Sequence, residues 1–369
     1  MNERVSALRS QLHERKLDAL LVSSATNRRY LSGFTGSAGV LLIGPDSACI
    51  FSDFRYRAQI AREVPNFTAD EYDNITTTLN DLIAKAATTY GFGRIGFEAG
   101  VVSVTEHTRL AARLDELADN APSLVPVEGV VERLREVKDA AEIATLRRAI
   151  ALTDATLGAV LPHLHPAMSE RQAAWLIERE MRERGAEAVA FTIIVAAGRN
   201  AALPHARPGD DPLGEGQPIV IDMGARVDGY HADMTRTIAL GTPDERFRTI
   251  YAIVLEAQRQ AITGIRPGMY AWEADALARD HITAAGYGET FGHGLGHGVG
   301  LDIHELPSVR RAVPGKEAEG PRLQAGSIFS LEPGIYLADW GGVRIEDLVL
   351  LHAHGCEVLS QTPKELGYS

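Results

Sequence analysis

Hydrophobic spacing changes several times along the chain, and each change marks an element. Val5, Leu8, Leu12 and Leu17 recur near one helical face, after which the unbroken apolar run 19–22 reads as a buried strand. Segments 40–43 and 48–51 are two further strands, with Gly44-Pro45-Asp46 as the turn between them. Helical spacing returns over 78–87, and Ile95-Gly96-Phe97 is again strand-like. The alternation predicts an α/β domain over residues 1–125. Ala121-Pro-Ser-Leu-Val-Pro126 interrupts both periodicities with prolines and a serine, and is the expected linker.

Beyond the linker the pattern shifts. Asp139 with Glu142 forms a capping signature for a helix through about Leu157, and Ser169 with Gln172 repeats it for a helix ending near Gly185. From Phe191 onward the chain is mostly β-like and glycine-rich, with helices expected over 243–262 and 271–285. No short repeat or low-complexity tract interrupts it. The reading is an α+β domain over 126–369.

Composition narrows the function classes. The chain has 369 residues, 45% of them hydrophobic and 23% charged, which suits two ordinary globular domains. A formal net charge of -12 disfavours nucleic acid, whose phosphates call for concentrated Lys and Arg. No apolar run approaches the roughly 18 residues of a membrane helix, and the start lacks the apolar core of a secretion signal. Cys49 and Cys356 read as separate thiols of a reducing compartment, so a cytoplasmic location is expected.

Acids and histidines then supply candidate chemistry. In the stretch from Ile219 to Thr237, Asp228-Gly229 signals a hairpin turn. A turn centred there sets Asp222 opposite about Thr235, with Asp233 two residues away on the same face; such diagonal pairs lie roughly 7–8 Å apart at the backbone. Asp222 follows an apolar Ile-Val-Ile run, where a carboxylate needs a charged partner. In Gly292-His293-Gly-Leu-Gly-His297-Gly-Val-Gly-Leu-Asp-Ile-His304 the glycines argue against a helix. An extended chain puts His293 and His297 on one face, and His304 on the other unless the chain turns. One buried histidine is usually structural; three in so short a glycine-rich stretch fit that account poorly. Glu332 ends an apolar strand before Pro-Gly. Alternation along 342–350 places Arg344 and Glu346 on one face and Asp347 on the other, which a plain core ion pair would also explain. Four carboxylates and an imidazole suit a pair of divalent cations: Mn²⁺ first, with Co²⁺ or Zn²⁺ as alternatives. Such ions, about 3.5–4 Å apart, would activate a water and stabilise a tetrahedral intermediate. His205, His293 and His304 would be left to donate hydrogen bonds.

These motifs resemble the pita-bread metallopeptidases, specifically aminopeptidase P and prolidase. The segments carrying the likeness are Asn27-Arg-Arg-Tyr-Leu-Ser-Gly-Phe-Thr-Gly-Ser-Ala-Gly39, Asp53-Phe-Arg-Tyr56, Ile194 through His205, the Asp222/Asp233 hairpin, the His297 stretch, Leu331-Glu-Pro-Gly334 and Val343-Arg-Ile-Glu-Asp347. The resemblance implies a creatinase/prolidase-like α/β domain followed by an α+β pita-bread domain, and a homodimer. It implies metal ligation by Asp222, Asp233, His297, Glu332 and Glu346, with Asp233 and Glu346 bridging two ions. It gives Glu332 the proton of the attacking water, sets His205, His293 and His304 around the scissile bond, and has Arg344 support Glu346. His231 shares the parity of Asp233 and is read as structural. The implied substrates are peptides with proline second. The leading expectation is an Xaa-Pro aminopeptidase, with an Xaa-Pro dipeptidase as the alternative and an inactive peptide- or protein-binding module as a remote one.

Overall fold

The computed structural model describes residues 3–364, and the chain divides into two compact units, one through Arg135 and one from Glu136. In the first unit β1 (Ala19–Val22), β2 (Val40–Ile43), β3 (Ala48–Ser52), β4 (Thr68–Glu71), β5 (Arg94–Glu98) and β6 (Ser123–Val127) make one mixed sheet in the order β4-β3-β2-β1-β5-β6. Helices α1 (Glu3–Glu14), α2 (Ala25–Ser32), α3 (Arg57–Glu63), α4 (Leu79–Tyr90) and α5 (Val104–Asp115) accompany it, and α6 (Val130–Glu136) follows. Capping boxes at Thr78/Asp81 and Ser103/Glu106 start α4 and α5, whose Ile83, Ala87, Leu110 and Leu114 pack against Leu21, Leu42 and Phe51 of the sheet.

The expected linker is a strand. β6 runs parallel to β5 with Phe97 opposite Pro126, so the expected boundary between 125 and 126 falls inside the first sheet. An edge strand has one unpaired side, which tolerates a residue without an N–H. The prolines therefore mark a sheet edge, and the units divide after Arg135 instead.

The second unit opens with α7 (Ala140–Val160) and α8 (Glu170–Glu183), started by the capping boxes of Asp139/Glu142 and Ser169/Gln172. Two small sheets follow: β7 (Ala188–Val189) with β10 (Ala225–Val227) and β11 (Tyr230–His231), and β8 (Ile194–Ala197) with β9 (Ile219–Met223) and β12 (Met234–Ile238). Helices α9 (Glu245–Gly264) and α10 (Ala271–Ala284) lead into a five-stranded sheet. It orders β14 (Glu305–Val309), β13 (Gly296–Gly298), β15 (Ile328–Leu331), β18 (Asp347–His352) and β19 (Gly355–Val358). The hairpin β16 (Gly334–Leu337) and β17 (Gly341–Arg344) completes the unit. The stretch 342–350, expected as one strand, is two strands in different sheets with Ile345 and Glu346 between them. Thr237 causes the break: its hydroxyl exchanges hydrogen bonds with the Arg344 N–H and C=O, pinning this crossing to β12. Among the described residues no helix is long and apolar enough to cross a membrane.

Candidate metal centre

The first two acids come from the hairpin as its register requires. Asp222 in β9 pairs with Thr235 in β12, and the two-residue turn Asp228-Gly229 takes φ of 47° and 75°, the left-handed pair of a type I′ turn. Gly224 lies between β9 and β10, where a Cβ would stand 1.9 Å from the Ala232 carbonyl oxygen. Only a residue without a side chain lets the strands cross this closely, and the crossing carries Asp233 into the same cleft as Asp222.

His297 sits in the middle of β13 between two glycines that make equally close approaches. A Cβ on Gly296 would lie 1.9 Å from the Ser330 carbonyl, and one on Gly298 would lie 2.0 Å from that of Leu306. The Nδ1 atom of His297 is 3.1 Å from the Gly298 carbonyl, which can only accept, so Nδ1 carries the proton and Nε2 offers a lone pair. Nε2 faces the acids, 3.6 Å from Asp233 and 3.4 Å from Glu332. Ser330 donates to Glu332 across 3.1 Å and accepts the His297 N–H across 3.0 Å, fixing the two side chains together. Glu346 follows the break after β17; the Thr235 hydroxyl donates to its Oε2 at 2.6 Å. Ligand atoms of Asp233, His297 and Glu346 all lie within 4.8 Å of one another.

Electrostatics give these groups a common need. Burial raises the carboxyl groups of Asp222 and Glu332 above the ordinary range, and those of Asp233 and Glu346 well above it. The charge of Glu346 adds to the shift of Asp233, and the charges of Glu332 and Asp222 add to that of Glu346. Asp222 Oδ1 is buried with no hydrogen-bond partner. Crowded, buried carboxylates with an orphaned oxygen and a neutral imidazole aimed at them form a donor set that fits divalent cations. Burial also lowers the pKa of His293, His297 and His304, so these imidazoles are held neutral, the form that binds metals or donates one hydrogen bond.

Arg344 favours the charge of Glu346 through space, but its hydrogen bonds go elsewhere. Its Nη2 donates to Asp222 Oδ2 at 2.6 Å and its Nε to the Thr235 hydroxyl at 3.1 Å, so Thr235 relays the contact. This follows from the strand break, which turns Arg344 toward β9. Its Nη1 reaches the Tyr336 hydroxyl at 3.1 Å and the Pro204 carbonyl at 3.2 Å. Tyr336 also lies 2.9 Å from His293 Nε2, while His293 Nδ1 is 2.7 Å from the Gly294 carbonyl. Both nitrogens of His293 are therefore engaged, and its expected freedom to donate is not seen. The sequence pattern marks Thr235 only as the residue facing Asp222, and it carries no signal for Tyr336, since the Pro333-Gly334 turn separates its strand from Glu332. His304 reaches the site despite its odd spacing because residues 301–304 bend; its ring centroid is 4.2 Å from that of His297. His205 lines the same cleft from an exposed position. His231 is buried, with Nδ1 3.1 Å from the Gly300 carbonyl and no place in the cleft lining, as a structural residue would be.

The cleft holds about 480 Å³. Phe191, Ile194 and Ile303 form apolar wall, and Arg207 and Arg310 stand in the same lining, both exposed.

A two-part chain with buried acids and an imidazole converging in one cleft has the layout of a metallohydrolase. Residues 144–353 match the model of metallopeptidase family M24, and residues 4–137 match the creatinase/prolidase N-terminal domain. The chain belongs to metallopeptidase family M24 and has its pita-bread fold: it is a hydrolase that depends on divalent metal ions. It is 34% identical to the Xaa-Pro dipeptidase of Pyrococcus horikoshii over 99% of each chain. A structure titled Xaa-Pro dipeptidase from Bacillus anthracis superimposes with a TM-score of 0.91 at 37% identity, covering 99% of this chain and 98% of that one. An X-Pro aminopeptidase of Thermotoga maritima superimposes with a TM-score of 0.86 at 33% identity over 95% and 98%.

Proposed function

We propose that this chain hydrolyses Xaa-Pro dipeptides, holding two divalent metal ions with Asp222, Asp233, His297, Glu332 and Glu346. The observation that carries the reading is the convergence of Asp233, His297 and Glu346 within 4.8 Å, with Glu332 against His297. Asp233 and Glu346 would be the pair shared between the ions, as the family resemblance implies; both belong to the group whose ligand atoms lie within 4.8 Å of one another. When bound, a pair of such ions supplies a water nucleophile at neutral pH and Lewis acidity toward the peptide carbonyl. Mn²⁺ is the first choice on oxygen-rich ligation.

The chain's own residues do the rest. Glu332, held beside His297 Nε2 at 3.4 Å and fixed by the Ser330 hydroxyl, takes the proton of the attacking water and returns it to the leaving nitrogen. The leaving prolyl nitrogen, which has no hydrogen of its own, takes this proton as the C–N bond breaks and departs as a secondary amine. Neutral His304 beside His297 donates to the developing oxyanion, and His205 reaches the substrate from the rim. Phe191, Ile194 and Ile303 offer apolar wall to a pyrrolidine ring.

Dipeptides take precedence over longer peptides, reversing the order expected from sequence. Two relatives titled Xaa-Pro dipeptidase favour this ranking. Arg207 and Arg310 favour it as well: both line the cleft with no ion-pair partner among the described residues, and suit the free carboxylate that a dipeptide presents one residue past the scissile bond. With Mn²⁺ present, kcat/KM for Ala-Pro should exceed that for Ala-Pro-Ala by roughly tenfold or more, since one charge-assisted contact contributes ~1.5–3 kcal/mol. Equal or reversed values would make the Xaa-Pro aminopeptidase reading the better one.

A further inference from the structure

Arg236 follows Thr235 in β12, so its side chain leaves the strand on the opposite face. It is fully buried, and every bond it makes falls on one small region. Its Nη1 donates to the carbonyls of Thr235 at 2.9 Å and Glu346 at 2.5 Å. Its Nη2 donates to Asp347 Oδ1 at 2.7 Å and to the Thr362 carbonyl at 2.7 Å. Arg236 thus grips the backbone on both sides of the Thr235–Glu346 hydrogen bond in the cleft.

The other end of that grip is the segment 361–364. Lys364 Nζ lies 2.5 Å from Asp347 Oδ2. Asp154 on α7 accepts from the N–H groups of Gln361 and Thr362 at 2.9 and 2.8 Å, and from the Thr362 hydroxyl at 2.5 Å. Tyr251 on α9 donates its hydroxyl to the Lys364 carbonyl. None of these groups lines the cleft. A buried guanidinium keeps its position only while its donors are satisfied, because desolvating a charge costs several kcal/mol. Removing the Thr362 carbonyl leaves Arg236 with unmet donors and a reason to turn away from Glu346.

We propose that residues 361–364 are a latch that sets the metal affinity of the cleft through Arg236 and Asp347. Arg236 is a positioning residue: it orients Thr235 and Glu346 without touching substrate or ion. The inference rests on the metal-binding reading above.

The test uses the full chain and two variants far from the cleft lining, Asp154→Ala and Lys364→Met. Equilibrium dialysis of metal-stripped protein against Mn²⁺ should give an affinity roughly tenfold weaker in each, at the low end of what residues behind metal ligands contribute. The visible spectrum of the Co²⁺-loaded variants should shift, since it reports ligand geometry, and Lys364→Arg should restore both readouts. Ile282→Val, buried on α10, a helix that carries no group of the latch, controls for stability and should lower the melting temperature without moving the affinity. Affinities within about twofold of the parent in both variants would overturn the latch. A parent chain that bound no ion at all would overturn the metal reading, and the latch with it.

Discussion

Burial sets the behaviour of the acids in the cleft before any ion arrives. Asp233 and Glu346 are each held well above the ordinary carboxyl range, by desolvation first and by acidic neighbours second. Their folded pKa values therefore lie above the unfolded value of about 4. A group raised on folding adds stability that is fully present below its unfolded pKa and lost as pH rises through its folded pKa. Relative to a Glu346→Gln variant, whose amide cannot ionise and which carries the same neutral histidines, the chelated parent should thus lose melting temperature as pH rises from about 5 to 8, whereas saturating Mn²⁺ should favour the parent, binding being worth ~2.7 kcal/mol at a hundredfold excess over Kd. A chelated parent that gained stability on the variant across that range would contradict the account.

Legibility at this scale followed sequence distance. Asp222 opposite Thr235 was readable because one tight turn, Asp228-Gly229, fixes the register over a few residues. The partner of Arg344 was not, because alternation assumes an unbroken strand and Thr237, more than a hundred positions away, breaks it. Tyr336, holding His293 and Arg344 together, escaped for another reason: Arg344 is near in the paired strand β17, but His293 sits in a bend where no periodicity applies.

Among elements, the glycines divide into those that strands need and those they do not. Gly224→Ala would drive a Cβ into the Ala232 carbonyl, and backbone must move. The expected loss is at least ~1–3 kcal/mol, the ordinary range for overpacking. Gly158 is exposed within α7 with open space around its Cβ position, so Gly158→Ala should instead stabilise by ~0.5–1 kcal/mol. Urea melts of the two variants check both signs, and a Gly224→Ala protein as stable as the parent would contradict the close crossing. Helix starts were the most legible elements, since capping boxes at Asp139 and Ser169 are local chemistry. The proline-marked segment 121–126 misled because an edge strand and a linker tolerate the same residues, and only pairing with β5 separates them.

For the whole molecule, an α/β unit followed by an α+β unit was readable from the change in periodicity, and the match to family M24 gives that order its meaning. What periodicity could not supply is convergence. Asp222 and Glu346 lie in segments far apart in sequence, and only the folding of several small sheets around β12 brings them to one cleft. The convergence is tested most directly by anomalous diffraction from crystals equilibrated with Mn²⁺. The account predicts two peaks about 3.5–4 Å apart, enclosed by Asp222, Asp233, His297, Glu332 and Glu346. Crystals whose peaks lay elsewhere, or whose five side chains enclosed no peak, would contradict it.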